Sequence, residues 1–341
     1  MNLAPSFRGA GEACEPGIRP AIPSRWIPDS QASPGFRNDG EVVIRIRRAG
    51  VVAAEFCNTS GDAEVAAVFE RSFYLRADDL FVCVGEPAIG NGPLTLLADM
   101  RVPMLGLRPG QPARIAGNRI DIGAVTFTCE GWERWHPPAW PRAAAPAVLA
   151  RVRDDVMRRA AMDAPAEGFG RVIADAGAPR DAFARIARRR LTRLQTWLSM
   201  RSVHEPSQTS PVRDVVGTGH GFTPSGDDAL IGALALLDAL GKRSAHANLA
   251  RAVDLVPPGL TSPLSHCFLR VAAAGHVGES LHAAVSSIVR GDADAAIAAI
   301  GEIGHSSGWD MMAGIVTALD AVTSRNQPVY PSIEVPQSER F

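Results

Sequence analysis

The sequence predicts an α+β protein in which a small β-rich N-terminal domain, a barrel or a sandwich, is followed by an α-helical C-terminal domain. Short β-prone runs separated by Gly, Pro and Asn fill the first half of the chain after residue 40. Apolar residues recur at helical spacing through the second half. Between the two patterns, residues 132–141 are rich in Trp and Pro, so we place the domain boundary there.

The predicted elements follow in chain order. Residues 1–39 are interpreted as a loose extension. A start codon placed too early in the gene is the alternative explanation for this segment. Residues 40–142 form the β-rich domain, with predicted strands at 42–46, 56–57, 72–75, 80–84 and 120–127. Residues 143–325 form the helical domain, with predicted helices at 147–160, 181–201, 227–240, 243–255, 263–274, 279–290, 292–302 and 308–323. Residues 326–341 are a tail.

Composition excludes several classes of function. A chain of 341 residues is long enough to bury a substantial core in two domains. Its formal net charge of −1 gives no reason to expect nucleic acid or an anionic membrane as a partner. We find no run of about twenty apolar residues and no secretion signal, so a cytoplasmic protein without a membrane span is expected. The five scattered cysteines contain no CxxC pair and are interpreted as reduced, mostly buried thiols.

The most unusual segment is the glycine loop, residues 217–228, which opens into an apolar helix. Its glycines at 217, 219 and 221 allow φ > 0 and a close approach of the backbone to a ligand. Free N–H groups at a helix start suit a phosphate or a carboxylate. The segment lacks the Lys of a Walker A loop and the strand-helix-strand setting of a dinucleotide site. A capping box formed by Ser225 and Asp228 is the purely structural alternative, but it leaves the glycines and Asp227 unexplained.

A second segment, residues 304–314, repeats the pattern. Ser225-Gly226-x-Asp228-x3-Gly232 matches Ser307-Gly308-x-Asp310-x3-Gly314. The repeat predicts two helix starts with Ser N-caps beside one shared cavity, each with a glycine one turn on where another backbone packs closely. Chance similarity of two capping boxes is the alternative. The segment also satisfies GxSxG, but a predicted helix rather than a strand precedes it, so we exclude a serine hydrolase.

A third segment, residues 259–265, leads into another predicted helix. Thr261 or Ser262 is expected to be the N-cap, because Pro263 suits the first helical position. Together with Arg270, the two hydroxyls could instead hold a carboxylate or a phosphate. Capping by Thr261 is the favoured interpretation.

At these three segments the sequence resembles the protein family that includes the AllH-type subunit of bacterial oxamate carbamoyltransferase. Residues 219–228 look like its GxGxTPSGDD signature, residues 261–275 like its second block and residues 304–314 like its third. The resemblance extends in order over residues 40–325. Typical members have Leu where Phe222 stands and Thr where Ser262 stands, and the second change removes a methyl group at a predicted ligand contact.

The resemblance implies a subunit of a three-subunit enzyme of nitrogen metabolism, in the degradation of purines and allantoin. That enzyme transfers a carbamoyl group between oxalurate and phosphate, giving oxamate and carbamoyl phosphate. The implied partners are the other transferase subunits and a small-molecule substrate. The alternative is a non-catalytic binding or scaffold subunit that orders a partner's active site, because no certain nucleophile or base is visible.

The residues fit such a substrate in two groups. The candidate catalytic residues are Asp227, Asp228 and Asp310, and the candidate substrate-binding residues are Gly219, His220, Gly221, Thr223, Ser225, Gly226, Thr261, Ser262, His305, Ser306, Ser307 and Gly308. Carboxylates repel phosphate unless a Mg²⁺ ion bridges them or they turn toward the amide end of the substrate. Asp227 is expected to be free to face a ligand, so Asp227→Asn should leave the melting temperature unchanged and reduce activity at least about tenfold.

Overall fold

The computed structural model describes residues 35–36, 42–174, 181–200, 210–257, 259–304 and 306–323. It confirms the predicted α+β class, with a β-barrel followed by a helical region. Apart from one α-helix and two short 3-10 helices, residues 42–135 are built from strands and turns, and the described residues from 146 onward are mainly helical. None of the described helices is long and apolar enough to cross a membrane.

The described residues form one sheet of ten strands, and eight of these strands close into a barrel. The strands are β1 (Gly35–Phe36), β2 (Val42–Gly50), β3 (Gly61–Val68), β4 (Ser72–Ala77), β5 (Leu80–Gly85), β6 (Thr95–Ala98), β7 (Pro112–Ala116), β8 (Arg119–Ile122), β9 (Val125–Thr128) and β10 (Glu133–Trp135). Their order is β2-β6-β5-β4-β3-β7-β8-β9, and β9 pairs in parallel with β2 to close the ring. The short strands β1 and β10 add to β2 outside the ring. Alternating apolar residues fill the interior, as in other small barrels.

Two predicted strands of this half are wrong. Phe56 and Cys57 lie in helix α1 (Val51–Asn58), whose first free N–H groups, at residues 52 and 53, donate to the carbonyl oxygen of Pro93. Burial of Phe56 and Cys57 against the barrel core overrides their local preference for a strand. The predicted strand 120–127 is the hairpin β8–β9, because Gly123 adopts φ +60° and turns the chain.

The described cysteines are free and buried, in agreement with the interpretation of the sequence. Cys57 and Cys129 lie inside the barrel with their Sγ atoms 3.3 Å apart. The hydrogen bond between the two thiols and the burial of Cys57 raise the pKa of Cys57, which favours its protonated thiol form. Cys14 lies outside the described residues.

The second half is helical in the predicted order. Its helices are α2 (Pro146–Asp163), α3 (Gly170–Ala174), α4 (Ala182–Ser199), α5 (Ser210–Val215), α6 (Ser225–Ala239), α7 (Arg243–Asp254), α8 (Pro263–Ala273), α9 (Glu279–Arg290), α10 (Ala293–Ile300) and α11 (Ser307–Thr323). The eight predicted helices are confirmed to within three residues at each end. The prediction missed α3 and α5, which are too short to show a helical period.

Helix α6 is the centre of this half, and α11 packs along it. Residues 229–237 are all buried, as expected for a helix that is apolar on every side. A Cβ at Gly232 would lie 2.0 Å from the carbonyl oxygen of Met311, and a Cβ at Gly314 would lie 1.7 Å from that of Ala229. Both predicted close backbone contacts are therefore confirmed, and they occur between the two repeated segments themselves.

The barrel and the helices are in direct contact. Phe81 and Leu94 of the barrel share a small apolar cluster with Leu264 of α8. The side chain of Glu279, at the start of α9, accepts hydrogen bonds from the backbone N–H and the side-chain amide of Asn91. Residues 136–145 then run from the barrel across α9 before α2 begins.

Candidate functional site

The glycine loop adopts the backbone that its sequence predicts. Gly217, Gly219 and Gly221 have φ values of +68°, +115° and +96°, which side chains with a Cβ rarely adopt. Gly217 also lies against the third segment, since a Cβ there would be 2.0 Å from the carbonyl oxygen of Leu260. His220 and Gly221 are exposed at the tip of the loop. The backbone N–H groups of residues 219–221 donate no hydrogen bond to the described residues.

The predicted N-caps are wrong by one residue. Helix α6 has Pro224 as its N-cap and Ser225 as its first residue, and α11 likewise begins at Ser307. Each serine is followed by a glycine that packs on the end of the preceding helix. A Cβ at Gly226 would lie 1.9 Å from the carbonyl oxygen of Val215, and a Cβ at Gly308 would lie 2.2 Å from that of Ile300.

Because the serines are inside their helices, their hydroxyls reach across to the other helix. The Ser225 hydroxyl hydrogen-bonds the carboxyl of Asp310, and the Ser307 hydroxyl hydrogen-bonds the carboxyl of Asp228. The predicted capping box of Asp228 is therefore wrong, since its carboxyl is bound by hydroxyls from Ser307 and Thr223. The hydroxyl oxygens of Thr223 and Ser307 are 3.4 Å apart. The two helix starts adjoin as predicted, with buried side chains between them, and a cavity shared by them stays a prediction.

Asp227 has internal partners on all the segments around it. Its Oδ1 accepts the backbone N–H of Gly217 at 2.8 Å. Its Oδ2 accepts the hydroxyl of Ser265 at 2.6 Å and the hydroxyl of Thr261. The side chain is completely buried. The expectation that Asp227 is free to face a ligand is therefore wrong, because this carboxylate ties the glycine loop to the start of α8.

The other two aspartates are buried where ionisation is unfavourable. Burial raises the pKa of Asp228 well above its ordinary value, and the nearby carboxylates of Asp310 and Asp227 raise it further. Its Oδ2 has no hydrogen-bond partner among the described residues. Burial raises the pKa of Asp310 to about 6, although hydrogen bonds from Phe169, Ser225, Gly170 and Ser306 oppose that shift. We call Asp227, Asp228 and Asp310 the aspartate cluster.

The third segment contacts the glycine loop as well as capping its own helix. Ser262 is the N-cap of α8, where its Oγ accepts the backbone N–H of Ser265 at 3.0 Å, so that alternative of the prediction is confirmed. The same hydroxyl donates to the carbonyl oxygen of Phe222 at 2.6 Å. The favoured cap is therefore wrong, because Thr261 donates to Asp227 instead. Thr261, Ser262 and Thr223 are all partly exposed beside the loop.

The last predicted segment supplies Ser306, Ser307 and Gly308 to the same region. Ser306 and Ser307 are partly exposed, and Gly308 is buried. His305 lies outside the described residues. The structure thus brings together the glycine loop, the start of α8 and the start of α11 at one end of the helical half.

Sequence reasoning missed four groups of this region. Arg190 of α4 donates to the hydroxyl of Thr218 and so places a guanidinium group beside the glycine loop. Ser265 completes the set of donors to Asp227. Phe169 and Gly170 donate their backbone N–H groups to Asp310, and Gly168 turns that chain with φ +84°. The Gly-Phe-Gly sequence at 168–170 was the available signal, whereas Arg190 is one of many arginines on its helix.

The described residues contain no group of three or more His, Cys, Asp or Glu side chains arranged to hold a metal ion. The aspartate cluster receives its hydrogen bonds from hydroxyl and backbone N–H groups instead. Magnesium at these residues remains a prediction from the sequence.

Comparison with known proteins identifies the segment that carries these contacts. No curated protein and no solved structure matches the chain. A family model does match, over residues 215–319, and this range contains the glycine loop, the start of α8 and the start of α11. The family is described as oxamate carbamoyltransferase subunit AllH, and the match confirms the family resemblance seen in these three segments.

Proposed function

We propose that this chain is a subunit of an oxamate carbamoyltransferase, which converts oxalurate and phosphate to oxamate and carbamoyl phosphate. The observation that carries the proposal is the meeting of three separated segments at one end of the helical half, all within the range that matches the family model. In this proposal, that end of the molecule contributes the anion-binding and carbamoyl-binding surface of the enzyme.

The chemistry of the surface suits an anionic substrate with an amide group. The N–H groups of residues 219–221 have no acceptor among the described residues, so they are available to a phosphate or carboxylate oxygen. Arg190 adds a positive charge beside Thr218. The hydroxyls of Thr223, Ser262 and Ser306 can accept from an amide N–H or donate to an oxygen. In the transfer, a phosphate oxygen bonds to the ureido carbon, the bond from that carbon to the oxamate nitrogen breaks, and the nitrogen takes a proton.

The aspartate cluster has a different role in this proposal from the one first expected. Carboxylates facing a phosphate would repel it, but the three aspartates are buried below the surface. Burial raises the pKa of Asp228 well above its ordinary value and so favours its neutral form, and Asp227 accepts three hydrogen bonds from within the chain. We therefore assign the cluster a positioning role, in which it fixes the loops that contact the substrate.

A scaffold subunit is the second candidate, and one observation favours it. The three acidic side chains are each no more than 1% exposed, so none reaches the surface to act directly as an acid or base on a substrate. Such a subunit would order the active site of a partner without contacting the reacting atoms.

The test is reconstitution of the complex with its partner subunits and an assay for carbamoyl phosphate, with each subunit left out in turn. Omission of this chain should abolish turnover. His220→Ala should then lower kcat/KM at least about tenfold, because His220 is exposed between the free N–H groups of the loop. His276→Ala, a partly buried histidine after α8, is the matched control and should keep the normal rate. Full turnover without this chain would refute the proposal, and a normal rate for His220→Ala would favour the scaffold.

A further inference from the structure

A cavity of about 300 Å³ lies where residues 135–141 pass over helix α9, apart from the glycine loop. Trp135 and Pro138 line one side, and Glu279, His282, Ser286 and Arg290 line the other. Since α9 rises 1.5 Å per residue and turns every 3.6 residues, its residues 282, 286 and 290 follow one another along a single face. The wall of the cavity is therefore an ordered row of polar groups on a rigid helix.

Two polar atoms in this wall are buried without a partner. The Nε2 atom of His282 and the Oγ atom of Ser286 have no hydrogen-bond partner among the described residues. The two residues are only 6% and 5% exposed. Buried polar groups are nearly always hydrogen-bonded, because desolvation without compensation is costly. Both orphan atoms belong to residues that line the same cavity and lie just beneath its wall, so a small side-chain movement would bring both to a bound molecule.

The state of His282 is set by its surroundings. Its ring stacks on Trp140, with centroids 4.0 Å apart and an angle of 15°, and the Trp140 indole is itself held by Asp238 at 2.7 Å. Since Nε2 has no partner, Nδ1 is the atom that donates to the carbonyl oxygen of Pro138. Burial lowers the pKa of His282, so the ring is neutral. Nε2 therefore presents a lone pair and needs an N–H or O–H donor.

The charged residues at the two ends of the cavity wall indicate how many carboxylates the ligand has. Arg290 lies one turn beyond Ser286 and offers its guanidinium group to a carboxylate, while one of its nitrogens is held by Ser287 at 3.2 Å. Glu279 lies at the other end of the wall and repels a second carboxylate, because its own charge is fixed there by Asn91. Trp135 and Pro138 supply apolar surface.

We propose that this cavity is a second ligand site, which takes a small monocarboxylate bearing an amide or amine N–H group. The carboxylate binds Arg290, the N–H donates to His282 Nε2, and the Ser286 hydroxyl completes the contacts. The site uses none of the residues of the glycine loop, so the inference stands independently of the proposed transferase function.

Binding of oxamate to the full chain tests the proposal. Oxamate combines one carboxylate with one primary amide, whereas oxalate lacks the N–H and acetamide lacks the carboxylate. Calorimetry should show saturable binding of oxamate and binding at least about tenfold weaker for the other two. The 15N resonance of His282 Nε2, measured on histidine-labelled protein, should shift on addition of oxamate because the nitrogen becomes a hydrogen-bond acceptor.

Ser286→Ala is the decisive variant, because its hydroxyl has no partner to lose in the free protein. It should melt at the wild-type temperature or above, yet bind oxamate about 3- to 10-fold more weakly, as expected for the loss of one hydrogen bond. Ser280→Ala, on the same helix but outside the cavity, should bind normally. The proposal is wrong if oxamate does not bind, if Ser286→Ala binds it as tightly as wild type, or if the His282 resonance stays in place. An effect of His220→Ala alone would assign the binding to the glycine loop.

Discussion

Helices α6 and α11 begin with the same residues at the same spacing and meet each other through reciprocal contacts. The glycine one turn into each helix faces the backbone of the other, and the first serine of each binds the aspartate of the other. Each start also rests on the final carbonyl groups of the helix before it. One short sequence pattern, used twice, thus produces one close helix crossing.

What precedes and supports the two helices differs. Before α6, three glycines with positive φ form the exposed loop, and Arg190 stands beside it. At the position after the common Ser-Gly, α6 has Asp227, which ties the loop to α8, whereas α11 has Trp309, which packs on Gly170. The shared pattern, Ser-Gly-x-Asp-x3-Gly, produces the helix crossing. The features found only at α6, the glycine loop and Asp227, produce the surface that a ligand can reach.

The largest predicted effect concerns a glycine of the shared pattern, at the crossing of α6 and α11. Gly314→Ala should destabilise the protein by about 3 kcal/mol or more, because its Cβ would lie 1.7 Å from the carbonyl oxygen of Ala229 and the helices cannot separate without opening the core. Urea unfolding measures the change. Gly304→Ala is the control, since nothing lies within 4 Å of its Cβ. Equal stability of the two variants would show that the crossing is looser than described.

The second prediction concerns pH. The pKa of Asp310 is about 6 in the folded protein against 3.8 for an ordinary aspartate, so the folded state binds more protons than the unfolded state between these values. Stability should therefore fall as pH rises from about 4 to about 7. Since one pKa unit corresponds to about 1.4 kcal/mol, Asp310 contributes up to about 3 kcal/mol to that fall.

Asp310→Asn should flatten this part of the profile, because asparagine does not titrate. Urea unfolding at three pH values between 4.5 and 7, for both proteins, checks it. Asp228 shifts in the same direction and leaves some slope in the variant. Parallel profiles for wild type and variant would contradict the role given to Asp310.

The third prediction concerns Asp227, which has no counterpart at the start of α11. Asp227→Asn should destabilise the protein by about 2 kcal/mol, because it weakens the buried hydrogen bonds that this side chain accepts from Gly217, Thr261 and Ser265. This reverses the expectation from sequence that its melting temperature is unchanged. Asp254→Asn, at an exposed position, should change stability by less than about 0.5 kcal/mol. If Asp227→Asn melts at the wild-type temperature, these hydrogen bonds contribute little to stability, and the expectation from sequence is correct.

The sequence predicts the features that depend on local spacing. The helices of the second half follow from apolar periodicity, the positive φ values of the loop follow from its glycines, and the close contacts of Gly232 and Gly314 follow from the repeat. The division into a β-rich and a helical half follows from the change of period. These are properties that a few neighbouring residues determine.

The features that failed depend on tertiary partners. Capping statistics place Ser225 at an N-cap, but its hydroxyl binds Asp310 instead, because α11 lies within reach. Asp227 looked free because its local pattern offers no partner, while Thr261 and Ser265 are more than thirty residues away in sequence. Phe56 and Cys57 have side chains that favour strands, yet they lie in a helix because they pack against the barrel core.

The smallest predicted effect tests the reciprocity itself. If the serines cross to the opposite helix, Ser225 should be coupled to Asp310, and Ser307 to Asp228. A double-mutant cycle of Ser225→Ala with Asp310→Asn should give a coupling energy of about 1 kcal/mol at neutral pH, the range for one buried hydrogen bond. The matched cycle of Ser225→Ala with Asp228→Asn should give a smaller value, because Asp228 takes its hydrogen bonds from Ser307 and Thr223. Urea unfolding of the single and double variants provides both cycles. If Ser225 couples more strongly to Asp228 than to Asp310, each serine caps its own helix after all, and the two starts are independent capping boxes that only happen to adjoin.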